Sequence, residues 1–214
     1  MSLRVAVLLS GEGTTFEHLA AEQEAGRLDV DFAAVISSKS DAGGLERARR
    51  RGIPARAVPR RECADEAEFN RRLHAVIDEY RPELIVLAGF LSKLELRGYA
   101  GRVVNTHPAL IPAFAGHGFY GDRVHRSVLE AGVRLTGATV HFCDDEYDTG
   151  PILAQRAVPV LDDDDLESLK RRVQECERDL YAESIQLIAQ GRVQLEGRRV
   201  RIRPGSESLV SEAD

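Results

Sequence analysis

Apolar positions along the first half of the chain follow two rhythms. Arg4 to Ser10 reads RVAVLLS and Phe32 to Ser38 reads FAAVISS, both near-continuous apolar runs. Runs of this length, rich in Val, Ile and Leu, predict strands buried on both faces of a parallel sheet. LIVLAGF (Leu84 to Phe90) is the most apolar of them, RVVNTH ends at His107, and Ala55 to Val58 adds a short strand. Between these runs the period lengthens to that of a helix. Phe16, Leu19 and Ala20 share one face of a segment from about Thr15 to Ala25, stopped by Gly26. LERARRRG ends at Gly52, and Phe69, Leu73, Val76, Ile77 and Tyr80 form an amphipathic face closed by Pro82.

Strands alternating with helices predict an α/β protein: a Rossmann-like, mostly parallel sheet with helices on both faces. The second half changes pattern. After a helix near Asp122 to Ala131, Gly137 to Phe142 and Ile152 to Val160 read as two strands joined by the acidic turn DDEYDTGP, which predicts an antiparallel C-terminal addition. A long helix follows from about Asp165 to Ala189. Neither a repeat nor a linker divides residues 1–203, which read as one domain; residues 204–214, PGSESLVSEAD, read as a disordered polar tail.

Charge and composition narrow the function. The net charge is -6, without the basic footprint of a nucleic-acid binder, so no nucleic-acid partner is expected. RVAVLL is too short for a membrane span and carries no cleavage-site pattern, so no membrane partner is expected either. Three separated cysteines, Cys63, Cys143 and Cys176, form no CxxC and suggest a reducing cytoplasm.

Three stretches carry candidate chemistry. Ser10-Gly11-Glu12-Gly13-Thr14-Thr15 lies between the first strand and the first helix, where backbone amides can hold a phosphate. It lacks the Lys of a Walker loop, and Phe16 stands where a dinucleotide fingerprint has its third glycine. The plainer reading is a tight turn with Thr14 or Thr15 as an N-cap. In Asn105-x-His107-Pro108 an amide and an imidazole two residues apart point to the same face of a strand. In the turn Asp144 to Pro151, one carboxylate could orient His107 and hold it charged, though most are solvated. His117, His125, His141 and Cys143 form no short-range pair of metal-ligand spacing, so no metal is expected.

SGEGTT, LAGFL, NTHPALIP and TVHFCDDEYDTGPIL, in that order, resemble the phosphoribosylglycinamide formyltransferase family over nearly the whole chain. The resemblance implies the formyltransferase fold and transfer of a formyl group from 10-formyltetrahydrofolate to the amine of glycinamide ribonucleotide, without a metal. It implies that Asn105, His107 and Asp148 are catalytic. It implies nucleotide contacts at Gly11, Gly13, Thr14, Thr15, Pro108, Gln174 and Glu177, and folate contacts at Phe90, Leu91, Leu94, Cys143, Asp144 and Glu146. Small molecules are then the partners, for a monomer or homodimer. A sugar-nucleotide formyltransferase and a non-catalytic nucleotide-binding module are the alternatives. The chain departs from the family pattern at Glu12, Ser92 and Lys93, and in the longer loop AGHGFYGDRVH.

Overall fold

The computed structural model describes residues 2–205, so the tail expected to be disordered lies, from residue 206 on, outside the described residues. In chain order the elements are β1 (Leu3–Leu9), α1 (Thr14–Glu24), β2 (Val30–Ser37), α2 (Gly43–Arg50), β3 (Ala55–Ala57), α3 (Glu66–Tyr80), β4 (Leu84–Leu87), β5 (Val103–His107), α4 (Asp122–Glu130), β6 (Leu135–Phe142), β7 (Ile152–Pro159), α5 (Leu166–Ala189), β8 (Val193–Glu196) and β9 (Arg199–Ile202). Seven strands form one sheet in the order β3-β2-β1-β4-β5-β6-β7. The first five are parallel; β6 runs against β5, and β7 against β6. The strand order reverses beside β1, so a crevice opens between the carboxyl ends of β1 and β4, where such sheets bind ligands.

Both faces of the sheet are covered, as the apolar runs require. Val5, Val7 and Leu9 of β1 face a core shared with Phe16 and Leu19 of α1, Leu45 of α2 and Tyr181 and Ile185 of α5. Leu8 and Ile85 face the opposite core, with Phe69, Leu73 and Ile77 of α3. The Tyr181 hydroxyl lies 3.0 Å from the Leu87 carbonyl and 2.9 Å from that of Val104, so α5 is pinned where β4 and β5 end. Asp165 caps α5, accepting from Ser168 N while the Ser168 hydroxyl accepts from Asp165 N, the reciprocal arrangement that satisfies two orphan amides.

Two expectations need correction. The strand expected through Phe90 ends at Leu87; the Gly89 carbonyl accepts from Ser10 N at 3.0 Å, which turns the chain and brings Phe90 over the crevice. The β8–β9 hairpin was not expected. Its strands are four residues each and dense in charge, which hides the alternation of Val193 with Leu195 and of Val200 with Ile202.

Candidate active site

The turn after β1 is built on Gly13, at φ 73°, which caps α1; neither threonine supplies a side-chain cap. A Cβ on Gly13 would lie 2.6 Å from the Gly44 Cα, so the starts of α1 and α2 abut. That contact supplies the close packing that a third glycine gives elsewhere, and Phe16 is free to pack edge-on against Phe32, 5.6 Å between ring centres. The Glu12 carboxylate lies against Gly43 at the start of α2, and Arg47 donates to the Glu12 carbonyl at 2.7 Å.

Strand β5 places Asn105 and His107 on the α3 side of the sheet and Thr106 on the α5 side. The antiparallel register sets His141 of β6 opposite Asn105, and Thr139 opposite His107. Thr139 donates to the Ala109 carbonyl at 2.7 Å and accepts from Ile111 N at 3.1 Å, fixing the chain as it leaves β5.

Asp148 arrives from the loop after β6 and lies between two imidazoles. Its Oδ2 is 3.5 Å from His107 Nδ1, its Oδ1 is 3.5 Å from His141 Nε2, and it accepts from Gly116 N at 3.0 Å. Asn105 Nδ2 is 3.4 Å from His141 Nε2. The three residues expected to be catalytic are therefore together, with His141 as a fourth member. From the sequence, His141 shares a strand face with Cys143, which fits a half-exposed strand as well as a pocket wall; the cross-strand register brings it to Asp148 and Asn105.

Electrostatics correct one expectation. Asp148 does pull the His107 imidazole upward, but burial outweighs it and holds the ring below its ordinary value. Burial pushes Asp148 up; His141, His107 and the Gly116 amide together outweigh that and hold it low, so it is a carboxylate at neutral pH. His107 Nε2 lies 2.8 Å from the Phe114 carbonyl, so the ring donates there from Nε2.

Two spaces meet at these residues. A pocket of about 90 Å³ is walled by Phe90, Leu94, Cys143, Asp144 and Glu146, all expected as folate contacts, and also by Ser92 and Lys93. A cavity of about 510 Å³ is walled by Thr15, Pro108, Gln174 and Glu177, all expected as nucleotide contacts. Leu91, expected in the pocket, instead lines the cavity. Gly11, Gly13 and Thr14 lie outside both walls: Gly13 is buried against α2, and Gly11 and Thr14 are exposed. Lys170, Arg123, His125 and Thr106 join the cavity wall. Lys170 pairs with Asp122 at 2.7 Å.

Burial pushes the Glu177 carboxyl up to about 7, with the Thr106 hydroxyl and Arg178 drawing it down. Burial likewise pushes the Cys143 thiol far up, which favours the neutral thiol in the pocket wall. Among the described residues no group of three or more His, Cys, Asp and Glu is placed to hold a metal, and no helix is long and apolar enough to cross a membrane.

Asn105, His107 and Asp148 gather where β5 ends in a mostly parallel sheet, beside two adjoining spaces, an arrangement suited to group transfer, and the formyl transferase family profile matches residues 3–185. The chain belongs to the phosphoribosylglycinamide formyltransferase family of these proteins. It is 36% identical to phosphoribosylglycinamide formyltransferase of Escherichia coli (strain K12), covering 90% of each chain. It is 39% identical to the trifunctional purine biosynthetic protein adenosine-3 of Gallus gallus, over 90% of this chain but 19% of that one, so it spans about a fifth of that relative's length. Glycinamide ribonucleotide transformylase 1 of Symbiobacterium toebii superposes with a TM-score of 0.89 at 39% identity, covering 95% of both chains.

Proposed function

We propose that the protein transfers the formyl group of 10-formyltetrahydrofolate to the amine of glycinamide ribonucleotide, a step of de novo purine biosynthesis in the cytoplasm, with residues 1–203 acting as one domain. One observation carries this reading: Asn105 and Asp148 stand in the walls of both spaces. A formyl donor in the pocket and a nucleotide in the cavity would meet at those two side chains.

The amine attacks the formyl carbon and forms a tetrahedral oxyanion. Asn105 and His107 donate hydrogen bonds to it, each well-placed donor being worth about 3–4 kcal/mol. In the free protein burial favours neutral His107; the growing negative charge of the oxyanion and the Asp148 carboxylate favour uptake of a solvent proton at Nδ1. The ring's Nε2–H, bonded at rest to the Phe114 carbonyl, exchanges that partner for the oxyanion. Asp148 supports the charged imidazole and passes the amine proton, directly or through water, toward the folate nitrogen as the bond from formyl carbon to that nitrogen breaks. The cavity holds the nucleotide so that attack does not wait on diffusion.

The test is tetrahydrofolate release from 10-formyltetrahydrofolate with and without glycinamide ribonucleotide. Release that needs the nucleotide is the expected result. Release without it, accompanied by formate, would mean hydrolysis and overturn the assignment.

A further inference from the structure

We propose that Arg198, in the turn between β8 and β9, is a positioning residue for Asp148: its guanidinium holds the Thr149 carbonyl and so fixes the loop that carries Asp148. The inference rests on the formyl-transfer reading for its kinetic arm alone. The family profile ends at residue 185, before the hairpin.

The loop from Cys143 to Pro151 is held from outside at the Asp148 side chain, by the Gly116 amide at 3.0 Å, and at the backbone that follows it, by Arg198. Asp148 sits at φ 57°, a left-handed conformation that an L residue adopts at a cost and keeps only when its surroundings fix it. The start of the loop is fixed from within, because Asp144 Oδ1 accepts from Glu146 N at 3.2 Å and from the Thr149 hydroxyl at 2.7 Å. Its end is fixed by Gly150, which packs so closely on the Phe142 carbonyl that no Cβ fits. The peptide between Asp148 and Gly150 is reached from the hairpin: Arg198 Nη2 donates to the Thr149 carbonyl at 2.8 Å.

The hairpin is a firm base for that contact. Its register pairs Glu196 with Arg199, which leaves Gly197 and Arg198 as a two-residue turn. Val193, Leu195 and Val200 pack against the core, and Leu195 reaches over Gly101 just before β5. The chain closes behind it, with Arg203 N donating to the Arg192 carbonyl at 2.8 Å. Arg198 is thus the far end of a lever anchored beside β5 and resting on the residue after Asp148.

Arg198→Ala and Arg198→Lys are compared with Arg199→Ala, which removes a neighbouring exposed charge. Two readouts are taken: steady-state kinetics, and the pH titration of the His107 ring by NMR, which reports the distance to Asp148 without turnover. The charged groups around His107 are Asp148, His141 and His125, and of these only Asp148 raises it. Arg198→Ala is expected to lower kcat about 5- to 20-fold with nucleotide KM unchanged, and to move the His107 titration to lower pH. Arg198→Lys restores part of both, and Arg199→Ala changes neither. Melting falls by no more than about 4 °C, the scale of one hydrogen bond in a chain of this size. A wild-type His107 titration in Arg198→Ala overturns the proposal, even if kcat falls. If the wild-type protein transfers no formyl group, the functional reading fails and the titration alone decides the role of Arg198.

Discussion

The two spaces at the end of β5 are built on opposite principles. The small pocket is held in shape from behind by α3: Asn70 donates to the Lys93 carbonyl and accepts from Glu95 N at 2.9 Å, His74 Nε2 lies 2.7 Å from the Glu95 carbonyl, and Phe69 stacks on Phe90. Much of its wall is a loop fixed by buried polar anchors. The larger cavity takes much of its wall from one helix, with Lys170, Gln174 and Glu177 projecting from successive turns of α5. The difference is one of construction: the pocket's wall is a loop locked by hydrogen bonds from α3, and the cavity's wall includes Glu177, whose charge responds to pH. Asn105 and Asp148 are shared by both walls.

Substitution at the shared wall has the largest expected effect. Asp148→Asn should lower kcat roughly 10³-fold while the nucleotide still binds, because it removes proton transfer and the support of charged His107 but leaves the cavity in place. Stopped-flow turnover combined with nucleotide titration checks this, and near-normal turnover would remove Asp148 from the chemistry. His107→Ala should lose roughly 10²-fold or more in kcat with a native circular dichroism spectrum. Loss of fold in that variant would make His107 a structural residue.

Glu177 tests the charged wall. With its carboxyl at about 7 when folded, the nucleotide meets a neutral side chain below that pH and an anion above it. Glu177→Gln should therefore weaken nucleotide binding by about tenfold at pH 8, the scale of one charged hydrogen bond, and much less at pH 6. Stability should move the other way. An acid raised on folding favours the native state while protonated, and that benefit is lost as pH rises from the unfolded value of 4.5 through about 7. The Gln variant should then exceed the wild type at pH 8 by roughly 1–3 kcal/mol and match it at pH 4. Calorimetric titration and thermal melts at the three pH values separate these effects; equal weakening at pH 6 and 8 would refute the charge argument.

Asn70→Ala tests the shaped wall. It should cost about 1–3 kcal/mol of stability by leaving Glu95 N unpaired, and raise the folate KM several-fold with nucleotide binding intact. A folate KM that stays at the wild-type value would show that α3 does not set the pocket. The smallest effect is expected at Glu12. Its carboxylate lies over α2 and outside the cavity wall, so Glu12→Gln should change nucleotide affinity less than about twofold.

How much of this was legible in the sequence depends on how local each feature is. The buried strands and amphipathic helices announce themselves by period, and the ends of α1, α3 and α5 fall within a few residues of the expected positions. Co-orientation of Asn105 and His107 follows from strand geometry alone. The place of Asp148 came from resemblance, because 40 residues of chain separate it from His107 and no spacing rule brings them together. His141 was missed because it depends on the register of two antiparallel strands. The net fall of the His107 value was missed because burial at the end of a strand is a property of packing. The failure of Gly13 to line the cavity was missed for a related reason: its partner, Gly44, belongs to a different helix.

That glycine pair has a consequence for mutational surveys. With backbone touching backbone, a single methyl group at Gly13 must displace α2, and one at Gly44 meets Leu9 as well as Gly13. A saturation library sorted only for soluble protein should already be depleted of every other residue at both positions. Intolerance there measures steric clearance between two helices and, at Gly13, a left-handed backbone as well, so a binding map inferred from intolerance should subtract both positions before assigning a ligand to the loop.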